Sequence, residues 1–413
     1  RGAIDTPAWN RHHWLTARWH QPLGKEHELI ATVRNSGETS GGGTPYQRRN
    51  SHGSLASATI SGSLDSGFTW DGLIYFQDQS HSNTFSSVDT SRTTETPVFE
   101  HATVPTTSSG VSWVGSWWHT GNSRTTAGLD IRHVEATPRE FFSYHNGAFT
   151  RELTARGQQN DTGFFVLQNR EITSSLRVTF SLRLNLWSEP DTNQFTKDRI
   201  SQQVLHTDTL AGIHETRFYP SIGAVWQPNN VWLLRTNAQQ SFQTPSLGER
   251  FETTGHHAVI VAPHHGLRTE HNTRFEVNVE YAPTSAVKMG ASIYSNDRHD
   301  ALGQLTVSRP SLEFAAFDNL PNGYILRKRI NYDHVDEQGL ELSTSWKPRE
   351  SLSFSANVRF TKAIIRRATI APTTIGNRLP HTPARTAMLS ANWALPTGVS
   401  LSLQLHSIGQ QYD

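Results

Sequence analysis

Histidine is the residue with the most chemistry to offer in this chain. There are 21 in 413 residues, and two adjacent pairs, His256-His257 and His264-His265, share one short polar stretch. Neutral imidazole ligates iron, copper and zinc. The spacing is not that of a zinc enzyme, which would set two histidines one helical turn apart in His-Glu-x-x-His. With only two methionines, Met289 and Met388, a soft thioether copper site is disfavoured. A polar loop, a haem contact and another metal site are the three readings these histidines leave open. The other reactive group is acidic. Asp297, Asp300, Asp333, Asp336 and Glu337 flank one stretch and could supply a glycosidase-like carboxylate pair, but acidic residues at loop edges are ordinarily solvated turn formers. There is no nucleophile elbow, phosphate loop or dinucleotide fingerprint, so no enzyme, resident cofactor or metal is expected.

The elements that must position these residues are strands. From Leu176 the even positions read Leu176, Val178, Phe180, Leu182, Leu184 and Leu186, while the odd ones read Arg177, Thr179, Ser181, Arg183 and Asn185. Side chains of a strand alternate between its faces, so this segment has one oily and one wet, cationic face. Phe275 to Tyr281, Leu352 to Phe360 and Val399 to Leu405 repeat the split. The alternation runs for about ten positions, the length of a tilted bilayer-crossing strand. Five aromatic-proline turns end such segments: Trp19 with Pro22, Trp226 with Pro228, Tyr281 with Pro283, Trp346 with Pro348 and Trp393 with Pro396. Those five aromatics are expected to anchor the strand ends at a membrane interface.

Three further compact turns fall near Gly62 to Gly67, Thr120 to Ser123 and Arg170 to Ser174, completing eight centres spaced by about 42 to 65 residues. Each interval fits a rising strand, a long outer loop, a falling strand and a short inner turn. The expected fold is therefore all-β, a transmembrane antiparallel up-and-down β-barrel with about sixteen strands present. Long polar loops are expected near Asn35 to His52, Gln77 to Ser109, Glu135 to Asn160, Trp187 to Glu215, Gln243 to Glu270, Asn296 to Asp333 and Thr361 to Thr382. A formal charge of +1 leaves no electrostatic footprint for nucleic acid. Mean hydropathy is −0.54, and no apolar run approaches the 18 residues of a membrane helix. Cysteine is absent, which removes disulfide and thiolate-metal frameworks.

Phe218 to Ser221, the strand Val231 to Gln240 and the box Ser241 to Phe251, with Phe242, Pro245, Leu247 and Glu249, resemble the TonB-dependent outer-membrane receptors. Gly266 to Glu270, with Leu267 and Glu270, is similar to that family's second box, and Ala127 to Arg132, Gly339 to Leu342, Leu379 to Pro383 and Gly409 to Asp413 follow in family order. The first box departs from the family at Gln243-Thr244, and the second at Pro263 to Gly266. The resemblance implies 22 strands around an N-terminal plug. Residues 1–413 are then expected to be a partial barrel domain, beginning at Arg1 without signal peptide or plug and stopping before the last strands.

Function follows from the same resemblance. It implies an outer-membrane receptor of a Gram-negative bacterium, a monomer in lipid, that imports a scarce nutrient with energy from the TonB complex. The cargo would be a ferric siderophore or another iron chelate, with haem and cobalamin as family alternatives. Haem-uptake members carry an iron-ligating histidine between comparable boxes, where His256, His257, His264 and His265 lie. Capture of anionic chelates favours arginines and aromatics on the outer rim, here Tyr46, Arg48 and Arg49, then Arg139, Phe141, Phe142 and Tyr144. The rival reading is a passive porin of 16 to 18 strands.

Overall fold

A computed structural model describes residues 2–64, 67–256, 258–307 and 324–412. In chain order the strands are β1 (Trp9–Pro22), β2 (His27–Gly41), β3 (Arg48–Leu64), β4 (Phe68–Val88), β5 (Glu95–His119), β6 (Ser123–Ala136), β7 (Arg139–His145), β8 (Ala148–Ala155), β9 (Gly157–Thr173), β10 (Leu176–Glu189) and β11 (Thr192–Asp198). Then follow β12 (Val204–Leu210), β13 (Ile213–Trp226), β14 (Trp232–Gln243), the short helix α1 (Leu247–Phe251), β15 (Thr254–His256), β16 (Val259–Ala262), β17 (Glu270–Thr284), β18 (Val287–Thr306), β19 (Ile325–Arg349), β20 (Leu352–Arg367), β21 (Arg385–Ala394) and β22 (Ser400–Ile408).

Six of these, β7, β8, β11, β12, β15 and β16, are short pieces within loops. The other sixteen make a wall in which each strand pairs antiparallel with the next, β6 passing directly to β9, β10 to β13 and β14 to β17. Sixteen wall strands and their short turns thus stand where the alternating pattern sets them. Among the described residues no pairing joins β1 to β22, and the sheet is open along that edge. The turn after β3 contains residues 65 and 66, outside the described residues. Among the described residues no helix is long and apolar enough to cross a membrane.

Register confirms the facing. Leu182 stands opposite Val166 and Pro220, and Phe180 opposite Ile222, on the oily side. Across β18 to β22 the same side offers a continuous apolar surface from Met289 through Phe354 and Leu389 to Leu403 and Leu405. The other face carries ion pairs. Arg183 reaches over β9 to Asp130 on β6 (2.7 and 2.8 Å), and Gly163 sits beneath the guanidinium with no room for a Cβ. Arg274 pairs with Glu276 (2.8 Å). The Tyr294 ring lies flat on Gly339 of the neighbouring strand, and its hydroxyl accepts from Arg359 (2.8 Å).

One expectation needs correction. The long loops foreseen at Asn35 to His52 and Gln77 to Ser109 are mostly strand: β2 runs to Gly41 and β5 begins at Glu95. β5 and β19 each have 25 residues, about 80 Å at a strand's rise per residue, far more than a bilayer needs. Beyond the lipid neither face is uniformly apolar, so the alternation that marks a strand fades while the hydrogen-bonded ladder continues. Of the loop foreseen at Asn296 to Asp333, residues 308–323 lie outside the described residues.

Candidate functional site

The stretch from Ser241 to Glu270 holds both boxes, and their family residues are engaged one by one. Phe242 stacks on Tyr219 with ring centres 4.5 Å apart. The Pro245 carbonyl accepts from Gln159 Nε2 (2.7 Å). Ser246 caps α1: its Oγ accepts from the Glu249 amide (3.2 Å), while the Glu249 carboxylate accepts from the Ser246 amide (2.8 Å). This reciprocal cap is what lets a five-residue helix persist. Leu247 and Phe251 then pack against Ala136 and Ala155.

Between those apolar residues Arg250 is buried with its partner. Its Nε lies 2.7 Å from Glu189 Oε2, and its Nη1 donates to the Leu267 carbonyl (2.8 Å), so one guanidinium ties the first box to the second. Burial pushes the Arg250 pKa down, against the pull of Glu189, and pushes the Glu189 carboxyl up, against the pull of Arg250. Desolvation outweighs attraction on both sides, as expected of a pair this deep. Glu270 is fastened likewise, accepting from Arg298 at 2.9 Å through both oxygens and from the Leu302 amide (2.9 Å). Leu267 is buried.

The histidines of this loop have separate fates. His265 lies against Phe251 (5.4 Å), and burial pulls its pKa down to about 4. The His264 amide donates to the Glu249 carbonyl (3.2 Å). His256 belongs to β15, opposite Val259, and His257 lies outside the described residues.

Past α1 the loop crosses to strands far from its own. Thr253 donates to Glu140 through its amide (2.9 Å) and hydroxyl (2.8 Å), and its carbonyl accepts from His101 Nε2 (2.6 Å). His81 Nε2 meets Glu252 Oε1 at 2.9 Å. Four wall strands separate β5 from β14, so these contacts bridge the concave face of the wall. β16 then pairs in parallel with the start of β19, and Ile260 and Ala262 join Phe99, Phe142 and Leu153 in a small apolar core. Arg329 closes the assembly, donating to the carbonyls of Glu252 (2.9 Å) and Glu249 (3.3 Å).

The rim residues divide into two groups. Arg48 and Arg49 are exposed and border a cavity of about 780 Å³ that Phe85, His101, Glu252 and Thr254 also line. A second cavity of about 780 Å³ adjoins it, with His12, Arg34, Glu38, Arg49, His81 and Glu252 on its walls. Tyr46, by contrast, is held by Glu95 (amide, 3.0 Å) and Glu100 (hydroxyl, 3.3 Å), and burial first of all raises its pKa. Arg139 is clamped by Glu152 (2.7 and 3.1 Å), Phe141 lies under Arg199 (3.6 Å), Tyr144 packs on Phe149 (5.2 Å), and Phe142 is 1% exposed. Tyr46 thus fastens the β2–β3 connection to β5, and the other four belong to β7 of the β7–β8 hairpin.

Of the acidic set, Asp297 lies 2.8 Å from His334 Nε2 and the other four are paired with arginines. Asp300 and Asp333 share Arg268 (2.6 and 3.2 Å), Asp336 pairs with Arg366 (2.6 Å), and Glu337 lies near Arg359 (3.6 Å). Sequence reasoning missed Glu140, Glu189, Arg250, His81 and His101. Each is a lone polar residue whose partner is distant in the chain.

A family model described as TonB dependent receptor-like, beta-barrel matches residues 4–413. No curated protein sequence matches. The chain is similar in fold to the ferric yersiniabactin uptake receptor of Yersinia pestis (TM-score 0.70, 12% identity, over 96% of this chain and 58% of that one). It is also similar to the ferric-catecholate import receptor of E. coli K12 (0.72, 12%, over 100% and 66%) and to a copper transporter (0.73, 12%, over 98% and 59%). The chain thus spans about three fifths of the length of these structures.

Proposed function

The chain belongs to the TonB-dependent receptor β-barrel family, and from that premise we propose that it captures a large anionic iron chelate, most simply a ferric siderophore, and imports it with energy from the TonB complex. Its place is the Gram-negative outer membrane, and the family is one of receptors, not enzymes. The observation that carries the cargo reading is the pair of adjoining cavities, bordered by Arg34, Arg49, His12 and His81 on wall strands and by Glu252 on the box loop. Unlike Arg139, which is committed to Glu152, the exposed Arg49 is placed to meet an anion. In this reading residues 1–413 are part of the receptor barrel, which works as a monomer. Trp19, Trp226, Tyr281, Trp346 and Trp393 anchor it at the inner interface, four of these rings being exposed on the oily side near the short turns.

The test is uptake of radioactive iron by cells carrying the full-length gene, supplied as a panel of ferric siderophores, ferric citrate and haem, with and without functional TonB. TonB-dependent uptake of one chelate, weakened in Arg49→Ala, is the expected result. Iron uptake indifferent to TonB, together with steady conductance in planar bilayers, would replace this reading with a passive pore.

A further inference from the structure

His101 is 2% exposed, and its two ring nitrogens face different surroundings. Nε2 points at the Thr253 carbonyl (2.6 Å), with Glu140 Oε1 beside it at 3.2 Å. A carbonyl can only accept, so Nε2 carries the proton, and in the neutral ring Nδ1 carries a lone pair. That buried Nδ1 has no hydrogen-bond partner. It looks at Glu252 Oε1, 3.7 Å away, another acceptor. A shared proton would draw the two atoms to hydrogen-bond distance, and 3.7 Å leaves room for something larger. The third group is His81, whose Nε2 lies 2.9 Å from the same oxygen. The ligand atoms of His81, His101 and Glu252 all lie within 4.8 Å of one another.

We propose that His81, His101 and Glu252 bind a divalent transition-metal ion of zinc-like character that fastens the box loop to β4 and β5. Two imidazoles and one carboxylate suit such an ion. Ligand atoms bonded to zinc stand about 3.3 Å apart, so groups already within 4.8 Å of one another need to close by no more than about 1.5 Å. Glu140 and the Thr253 carbonyl hold the His101 tautomer from behind, the arrangement that orients metal-binding histidines. Glu252 borders both cavities, which gives the ion a way in and leaves a position for water. The mechanical consequence is specific. Glu252 belongs to the loop, while His81 and His101 belong to the wall, so the ion joins parts 171 and 151 residues apart in the chain. The site shares His81, His101 and Glu252 with the cavity walls, but it does not depend on which chelate the receptor carries.

The experiment is zinc titration by calorimetry on the full-length receptor, purified from outer membranes in detergent, stripped with a chelator and carrying no histidine tag. The expected result is one zinc per chain, lost in His81→Gln and in Glu252→Gln and retained in His299→Gln, a control in the separate Asp297, His299 and His334 group. Heat-modifiable gel migration reports whether each variant keeps its barrel. Cobalt serves as a second readout that needs no variant: a visible band of a low-coordinate nitrogen and oxygen site, displaced by zinc. Absence of stoichiometric zinc or of that band, binding that survives both substitutions, or binding that disappears in His299→Gln instead overturns the proposal.

Discussion

In the wall, Phe218, Phe275 and Leu403 are 53 to 72% exposed, whereas Phe99, Phe142 and Phe251 in the loop assembly are at 1 to 2%. The two regions treat the same residue types in opposite ways because their solvents differ. Lipid accepts an aromatic or leucine side chain at no cost, so the wall turns its apolar face outward and gathers its charges inside. The loop assembly stands in water and must build a core like that of a soluble protein, with buried charges matched one by one. The comparison predicts that the two regions fail separately.

The largest effect should come from orphaning a charge in the loop assembly. Glu189→Ala leaves Arg250 buried without its carboxylate, a loss of about 3 to 5 kcal/mol. Limited proteolysis should cut within 247–262 while the wall keeps its heat-modifiable migration. If wall and loop are lost together, the regions are not separable. In the wall the corresponding damage is a charge turned to lipid. Leu182→Arg should cost about 2 to 4 kcal/mol in a lipid-folding titration. Its neighbour Arg183→Leu breaks a half-exposed pair with Asp130 and should cost less than about 1 kcal/mol. Equal costs at 182 and 183 would show the facing to be wrong. A third substitution tests packing on the inner face. Gly339→Val has no space under the Tyr294 ring and should cost about 1 to 3 kcal/mol by overpacking, with the bond from Arg359 to the Tyr294 hydroxyl lost; an unchanged folding titration would mean that the ring moves freely.

The same contrast explains what the sequence made legible. Strand number, turn positions and facing in the wall were all readable, since lipid imposes a period of two on every crossing and the Leu176 to Leu186 run shows it without any alignment. The upper parts of β4 and β5 were not readable as strand, because away from the lipid His81, Asn83 and His101 obey no period. In the loop assembly the box residues were found by resemblance, and they prove to be the ones that cap, stack and bury. Their partners were invisible: Glu140 meets Thr253 across 113 residues, and nothing local to either position signals the other. The histidine pairs drew notice by adjacency, yet His265 is packed away against Phe251, whereas single histidines on separate strands converge. Local spacing reports chemistry only where one element carries the whole site.

The smallest expected effect is a matter of pH, and it sharpens the comparison because the wall should not share it. Burial holds the folded-state pKa of His265 at about 4, below its ordinary 6.5. Between those values the opened loop binds a proton that the closed loop excludes, so closure is fully favoured above pH 6.5 and loses ground as pH falls toward 4. Glu189 works the other way. Burial, opposed by Arg250 and Gln159, raises its pKa, and its protonation in the folded state offsets part of the loss at the acid end. His265→Gln therefore isolates the histidine. Hydrogen exchange of residues 247–269 should speed up in the native protein as pH falls below 6.5, once corrected for the intrinsic pH dependence of exchange. In the variant that acceleration should be lost. Exchange in β9 and β10 should be unaffected in both proteins, because neither strand carries an imidazole. A wall that softens in step with the loop would mean that the loop assembly supports the wall, and the division drawn here would have to be abandoned.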